Sequence, residues 1–218
     1  MAEIKTKLFQ KNFTTSPRRI SPAILSLCQE INADAEPVVV PVKPDTGAIP
    51  SECFYNVTER IKRDGGSMVY GWTIWEWSRV FIEAEHHAVW EKDGELLDIT
   101  PKENRERKIV FLPDPNADYD FEGNRRRINV KRSLGRFASV DKWIAATDAF
   151  QQAVEDNSVG RLAHFDPMVM QAHQQAMMDA WAEVVLDLAY ETKPRDRCIC
   201  ASGLEFRKCC SKLIRIQT

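Results

Sequence analysis

The 218-residue chain has no apolar run of the length that crosses a bilayer. Its opening, MAEIKTKLFQKNF, has neither an apolar core segment nor a small-residue cleavage site, so no secretory signal is expected. Neither sign of charge is in excess: 30 Lys and Arg face 32 Asp and Glu, a formal net charge of −2. That balance gives no global field favouring nucleic acid or acidic lipid. Internal repeats and low-complexity tracts are also lacking. These absences predict an ordered cytoplasmic protein of one or two domains, long enough to bury a real core.

The six cysteines are unevenly placed. Cys28 and Cys53 stand alone, whereas Cys198, Cys200, Cys209 and Cys210 crowd the C-terminal stretch. A disulfide framework is unusual in a reducing compartment, and a tight cluster there more often binds metal.

Four regions follow along the chain. In about 1–50, SPAILSLCQEINA predicts a short helix with Ser21 as cap and Pro22 at its first position. The proline-punctuated EPVVVPVKP after it reads as an edge strand. In about 51–115, SECFYNVTERIKRDGG predicts a helix capped by Ser51 and ended by Gly65 and Gly66. The pair ends the helix and does not cradle phosphate, because no phosphate-loop pattern follows. SMVYGWTIWEW and KIVFLPDP read as strands, with a hairpin between them. The region of about 120–192 is helical: SVDKWIAATDAFQQAVEDNS with Ser139 as cap, then DPMVMQAHQQAMMDAWAEVVLDLAYE with Asp166 as cap and Pro167 at its first position. The Met, Ala, Trp and Leu stripe of the second helix reads as core packing. The polar linker ETKPRDR leads into the cysteine tail.

That tail reads CICASGLEFRKCCSK: Cys198-x-Cys200, eight residues, then Cys209-Cys210. Four thiolates in two close pairs close a tetrahedral site, for which zinc is the favoured metal inside cells. Ser202-Gly203 supplies a turn, and Leu204 to Lys208 a short helix back to the site. The spacing, with Ser-Gly, Phe206 and Lys208 before the paired cysteines, resembles the SEC-C motif, with Ala201 where that family usually has Gly. With all four positions filled by protein, such a zinc is structural and folds a tail too short for its own core. The resemblance implies a docking appendage that binds a protein substrate or scaffold.

The stretch EAEHHAVWEKDGELLDITP poses the catalytic question. Asp93-Gly94 signals a two-residue hairpin loop, which would pair Lys92 with Glu95 and Glu91 with Leu96. Extended outward, this register puts Val89 opposite Asp98 and His87 opposite Thr100, with His87, Val89 and Asp98 on one face. His86 falls on the other face with Ala84, Ala88, Trp90, Leu97 and Ile99, which looks like core. A three-residue loop would reverse the parity.

A His–Asp pair needs a nucleophile, and Cys53 is the candidate. It falls in the first turn of its helix, where the dipole and unpaired N–H groups favour a thiolate. The order SEC, VYGWTI, HHAVW and DGELLDITP, across about 50–101, resembles the transglutaminase-like branch of the papain-like superfamily. By that likeness Cys53 matches the nucleophile, His87 the base and Asp98 the orienting acid. The pattern departs in its compact His-to-Asp connection and in carrying Trp90 one position late. No Gln precedes Cys53 to complete an oxyanion hole; the Cys53 N–H is one donor, and Asn56 or Trp72 a candidate second.

The expected fold is α+β: a papain/transglutaminase-like core over 1–118 with a Cys-bearing helix and an antiparallel sheet, a helical extension over 119–192, and a zinc module over 193–218. The expected function is cysteine-dependent acyl transfer or amide hydrolysis, with protease, amidase, deamidase and transglutaminase all open. A non-catalytic zinc-containing adaptor is the rival. An RNA- or ribosome-associated adaptor is the weaker alternative, using the run Arg125, Arg126, Arg127, Lys131 and Arg132. That run lacks interleaved aromatics and reads first as a solvated linker, so nucleic acid is not favoured.

Overall fold

The computed structural model describes residues 3–159, 162–164 and 166–215. The ends of the expected core and zinc module, 1–2 and 216–218, lie outside them, as do 160–161 and 165. In chain order the elements are β1 (Glu3–Ile4), α1 (Pro22–Ile31), β2 (Val38–Pro41), α2 (Cys53–Asp64), β3 (Ser67–Trp77), β4 (Phe81–Lys92) and β5 (Glu95–Leu97). Then come β6 (Lys108–Pro113), β7 (Val130–Ser133), α3 (Ala138–Asp156), β8 (Ser158–Val159), β9 (Leu162–Ala163), α4 (Pro167–Glu191) and β10 (Ile214–Arg215). The class is α+β. Among the described residues no helix is long and apolar enough to cross a membrane.

Two compact units form. The first holds Ser16–Glu76 and Ile82–Arg132. Its six-stranded sheet runs β2-β6-β3-β4-β5, with β7 also on β4. The strands β2 and β3 both pair antiparallel with β6, at Val40↔Ile109 and Thr73↔Phe111. Past their strands, Val42 and Asp98 form a parallel bridge. There Asp98 N–H donates to Pro41 O at 2.9 Å and Lys43 N–H to Asp98 O at 2.9 Å, so the two ends of the sheet meet. The proline strand β2 thus stands at the end of the pairing order, and its continuation is bonded rather than open.

Local chemistry explains the helices. Ser21 accepts from the Ile24 N–H at 3.3 Å and Pro22 opens α1, as the sequence suggests. For α2 the cap is Glu52, not Ser51: Ser51 has φ 63°, so the helix begins one residue later, at Cys53. At its end Gly65 and Gly66 have φ 73° and 87°, open to glycine without strain. A Cβ on Gly66 would also lie 2.4 Å from Glu91 O. One face of α2 buries Cys53, Phe54 and Val57 against Ala88, Trp90, Ile99 and Tyr119. A second cluster joins Val40, Val42, Val89, Ile109 and Phe111. Each such large apolar side chain contributes roughly 1.5–3 kcal/mol by leaving water.

The second unit holds the residues up to Thr15, Trp77–Phe81 and those from Ser133 onward. The N-terminal residues, expected with the core of 1–118, therefore belong with the C-terminal elements, where β1 pairs with β10. Helices α3 and α4 pack antiparallel, fixed by Lys142–Glu183 at 2.8 Å and by the Ser139 hydroxyl donating to Asp187 at 2.6 Å. Ser139 is thus a buried interhelical donor; the cap position of α3 is Phe137, without a side-chain bond. Asp166 caps α4, accepting from the Met168 N–H at 2.8 Å. Only the C-terminal half of α4 follows the core reading. Ala180, Val184, Val185, Leu188 and Ala189 are buried, whereas Met168 is 79% exposed.

Candidate active site and metal centre

The hairpin fixes the histidines. Asp93 and Gly94 both have positive φ, 54° and 81°, which makes the two-residue turn that matches strand twist. Lys92 pairs with Glu95, Glu91 with Leu96 and Trp90 with Leu97. The expectation of a single core face is too narrow, because His86, His87, Ala88, Val89 and Trp90 are all buried. Both faces of β4 are covered here, one by α2 and one by β2 and β6 residues.

His86 and His87 have different partners. The Nε2–H of His86 donates to Ala117 O at 2.7 Å, and its Nδ1 accepts from the Arg127 N–H at 2.9 Å. With one nitrogen donating and the other accepting, the ring is neutral. Burial pushes its pKa below the ordinary value, and only its bond to Ala117 opposes this among bonds and neighbouring charges. His86 therefore ties down the 117–127 segment.

His87 sits against acid and thiol. Its Nε2 lies 3.1 Å from Asp98 Oδ2, and both side chains are buried. Asp98 Oδ1 accepts from the Thr100 N–H at 2.9 Å, so the carboxylate is held at both oxygens. Lys102 was not anticipated from the sequence: its Nζ lies 2.6 Å from Asp98 Oδ2 and 3.2 Å from His87 Nε2, with the side chain 7% exposed. The only sequence signal for it is its place four residues after Asp98, beyond the rigid Thr100-Pro101. With Nε2 held by these contacts, Nδ1 is the ring nitrogen they leave, and His87 is near enough to Cys53 to lower the pKa of its thiol.

The electrostatics form one coupled set. Burial alone would raise the Cys53 pKa, but the charge and hydrogen bond of His87, then Arg126 and the Ala88 N–H, hold it below the ordinary thiol value. Burial would lower His87; the charge of Cys53, with the charge and bond of Asp98, outweighs this and the opposing Lys102 and raises it to about 9. Asp98, pushed up by burial, is held at about 2 by His87 and Lys102. Cys53 is 2% exposed and opens α2, where its N–H has no intrahelical partner. The structure thus brings Cys53, His87 and Asp98 together.

A polar and aromatic segment lines the same place. Tyr119 stacks on Phe54 at 4.2 Å and 11°, and the hydroxyls of Tyr119 and Tyr55 both donate to Asn124 Oδ1 at 2.6 Å. Arg126 reaches the Ser51 carbonyl, and Arg127 bonds Asn116 O at 2.7 Å and Asp118. Arg132 pairs with Glu30 and Lys131 lies 3.7 Å from Glu83, so these cations of the basic run have partners within the unit. They pin the segment at several points, while residues 125–128 stay exposed as expected of a solvated linker.

The two candidate oxyanion donors are engaged elsewhere. Asn56 Nδ2 donates to Ile49 O at 2.8 Å and Thr100 Oγ1 at 3.1 Å, while its Oδ1 accepts from the Ile49 N–H. Trp72 Nε1–H donates to Asp114 at 2.9 Å. Both side chains brace loops.

In the second unit Cys198, Cys200, Cys209 and Cys210 gather all four sulfurs within 4.8 Å of one another, all four residues buried. Cys200 Sγ lies 3.6 Å from the sulfurs of Cys198 and Cys209, and Cys209 Sγ 4.0 Å from that of Cys210. A four-coordinate ion with metal–sulfur bonds of about 2.3 Å requires sulfurs about 3.8 Å apart, so the set fits a metal. These separations are too long for disulfides, and the four are free thiols. Around them Lys11 Nζ lies 3.4 Å from Cys209 Sγ and Ser202 Oγ 3.2 Å from Cys200 Sγ. Lys11 offsets thiolate charge, and its own pKa is raised by that bond. Trp77 Nε1–H donates to Ile199 O at 2.9 Å, and the Ala201 N–H to Asn12 O at 3.0 Å.

Comparison with protein-family models, curated proteins and solved structures gave no match to the chain.

Proposed function

We propose that the chain is a cysteine-dependent acyl-transfer or amide-hydrolysing enzyme on a transglutaminase- or papain-like core, with a SEC-C-type zinc module for docking a protein. What supports this is the buried His87–Asp98 pair at 3.1 Å together with Cys53 at the start of α2, whose thiol pKa the charge of His87 lowers. In the resting pair the Sγ proton sits on His87 Nδ1, so Cys53 starts as a thiolate beside an imidazolium. The thiolate then bonds to the acyl carbon, and the carbonyl pair moves onto oxygen near the Cys53 N–H. Collapse breaks the bond to the leaving amine, which takes the proton from His87 and leaves a Cys53 thioester. Water or an amine, deprotonated by His87, attacks that thioester and restores the thiol. Asp98 holds the ring and stabilises its cationic form.

Zinc is the metal proposed for Cys198, Cys200, Cys209 and Cys210, because four thiolates at tetrahedral spacing suit it. With four protein ligands it would hold the tail and take no part in the reaction. Cytoplasmic residence and a protein partner at this module belong to the same proposal.

The burial of Cys53 favours a second reading, a non-catalytic zinc-containing adaptor in which the same residues are packing. p-Nitrophenyl acetate separates the two. The enzyme reading expects a burst of nitrophenol with the acetyl group on Cys53 by peptide mass spectrometry, slowed in His87→Ala. No acetyl group on Cys53 leaves the adaptor.

A further inference from the structure

Asp98 Oδ2 carries two buried neighbours, His87 Nε2 at 3.1 Å and Lys102 Nζ at 2.6 Å, and these two nitrogens are themselves 3.2 Å apart. Such an arrangement has two hydrogen-bonded forms. When Nε2 carries a proton it donates to Oδ2, beside a cation that repels the imidazolium. When Nε2 is bare its lone pair accepts from Lys102 Nζ–H, and the remaining ring proton must sit on Nδ1. A triad without the lysine has only the first form, and its neutral ring keeps its proton on Nε2, facing the acid.

We propose that Lys102 is a positioning residue of the Cys53–His87–Asp98 site: its ammonium shares Asp98 Oδ2 with the ring and offers Nε2 a donor, so that beside the Cys53 thiolate a ring that has lost one proton keeps the other on Nδ1, while in the thioester, with no thiolate to hold it, Nδ1 is free to act as base. The inference rests on the triad reading. Its consequence is chemical. A proton held between sulfur and Nδ1 keeps Cys53 hydrogen-bonded as a thiolate after the imidazolium has lost its other proton. Lys102 also takes part of the charge Asp98 would otherwise lend to His87, which keeps the imidazolium a stronger acid toward a leaving amine. The ionisable groups facing His87 are Cys53 from α2, Asp98 and Lys102 from the segment after β5, and neutral His86 beside it in β4; Arg126 acts from the Cys53 side.

The chain has four histidines, so ring 15N resonances of labelled, zinc-loaded protein resolve His87. The inference expects two changes in Lys102→Met: the His87 pKa rises by at least one unit, and the neutral ring moves from the Nδ1–H to the Nε2–H tautomer. Lys102→Arg, which keeps charge and donors, restores most of both. A purely structural lysine would move neither while the other three histidines keep their shifts. If Cys53→Ala lowers the His87 pKa but Lys102→Met changes neither pKa nor tautomer, the role of Lys102 is refuted and the triad stands. If Cys53→Ala leaves His87 unmoved, the triad reading fails first. Should Lys102→Met not fold, the tautomer of His87 in the unsubstituted protein above its pKa decides: Nε2–H overturns the inference.

Discussion

Replacing His86 with Phe, a ring of similar shape, removes two hydrogen bonds and leaves the neighbouring His87–Asp98 contact untouched. The carbonyl of buried Ala117 loses its donor, and an unsatisfied buried acceptor costs about 1–3 kcal/mol. The N–H of Arg127 loses its acceptor too, but Arg127 is exposed, so water replaces Nδ1 at a net loss of about 0.5–1.5 kcal/mol. The sum is about 1.5–4.5 kcal/mol, part of it offset by the packing of a new ring against Phe54 and Trp72. Urea unfolding followed by tryptophan fluorescence reads this as a midpoint lower by about 1–2 M for a slope near 2 kcal/mol per M. The sign with pH is also fixed. The folded pKa of His86 lies below the ordinary 6.5, so the unfolded chain binds more protons as pH falls below that value, and stability declines there. His86→Phe removes that acid-side decline, and its Cys53 keeps the alkylation profile of the unsubstituted protein. A loss under about 1 kcal/mol, or a Cys53 profile displaced as in His87→Ala, would refute the division of roles between the two histidines.

Gly66→Ala combines φ 87° with a Cβ 2.4 Å from Glu91 O, so it destabilises by more than about 1 kcal/mol in the same urea assay. His87, raised to about 9 from 6.5, contributes stability that is complete below 6.5 and is lost as pH rises through about 9. Asp98, lowered to about 2 from 3.8, contributes stability present above 3.8 and lost as pH falls through about 2. Denaturation of His87→Gln across pH 6–10 should lack the alkaline decline seen in the unsubstituted chain. Stripping metal with a strong chelator should release the cysteine tail, read as a change in Trp77 fluorescence through its bond to Ile199 and as new tryptic cleavage at Arg207 or Lys208. An unchanged digest would count against a metal at the four cysteines.

Local signals in the sequence carried much of this architecture. Asp93-Gly94 fixed the β4–β5 register, since both residues must take positive φ and few pairs do so cheaply. Ser21-Pro22 and Asp166-Pro167 marked two helix starts for the same kind of local reason. Ser51 and Ser139 misled, because a hydroxyl near a helix start caps only if the backbone there is extended; Ser51 is left-handed and Ser139 lies inside its helix. Lys102 was illegible: a lysine after Thr-Pro reads as solvated, and only the folded chain buries it on Asp98. The bonds of His86 reach 31 and 41 residues along the chain, and the pairing of β1 with β10 spans nearly all of it. Periodicity does not record such distances. Nor does it distinguish the buried half of α4 from the half bearing exposed Met168 and Met178.

If Cys53 and His87 act as one ion pair, as proposed, the alkylation of Cys53 against pH shows it. Peptide mass spectrometry on metal-loaded protein isolates Cys53 from the tail thiols, which the metal masks. Alkylation is then expected well below the pH at which a free thiol reacts, with that advantage lost in His87→Ala. A Cys53 that reacts only above pH 8.5, the ordinary thiol range of about 8–9, or that ignores His87, would contradict it.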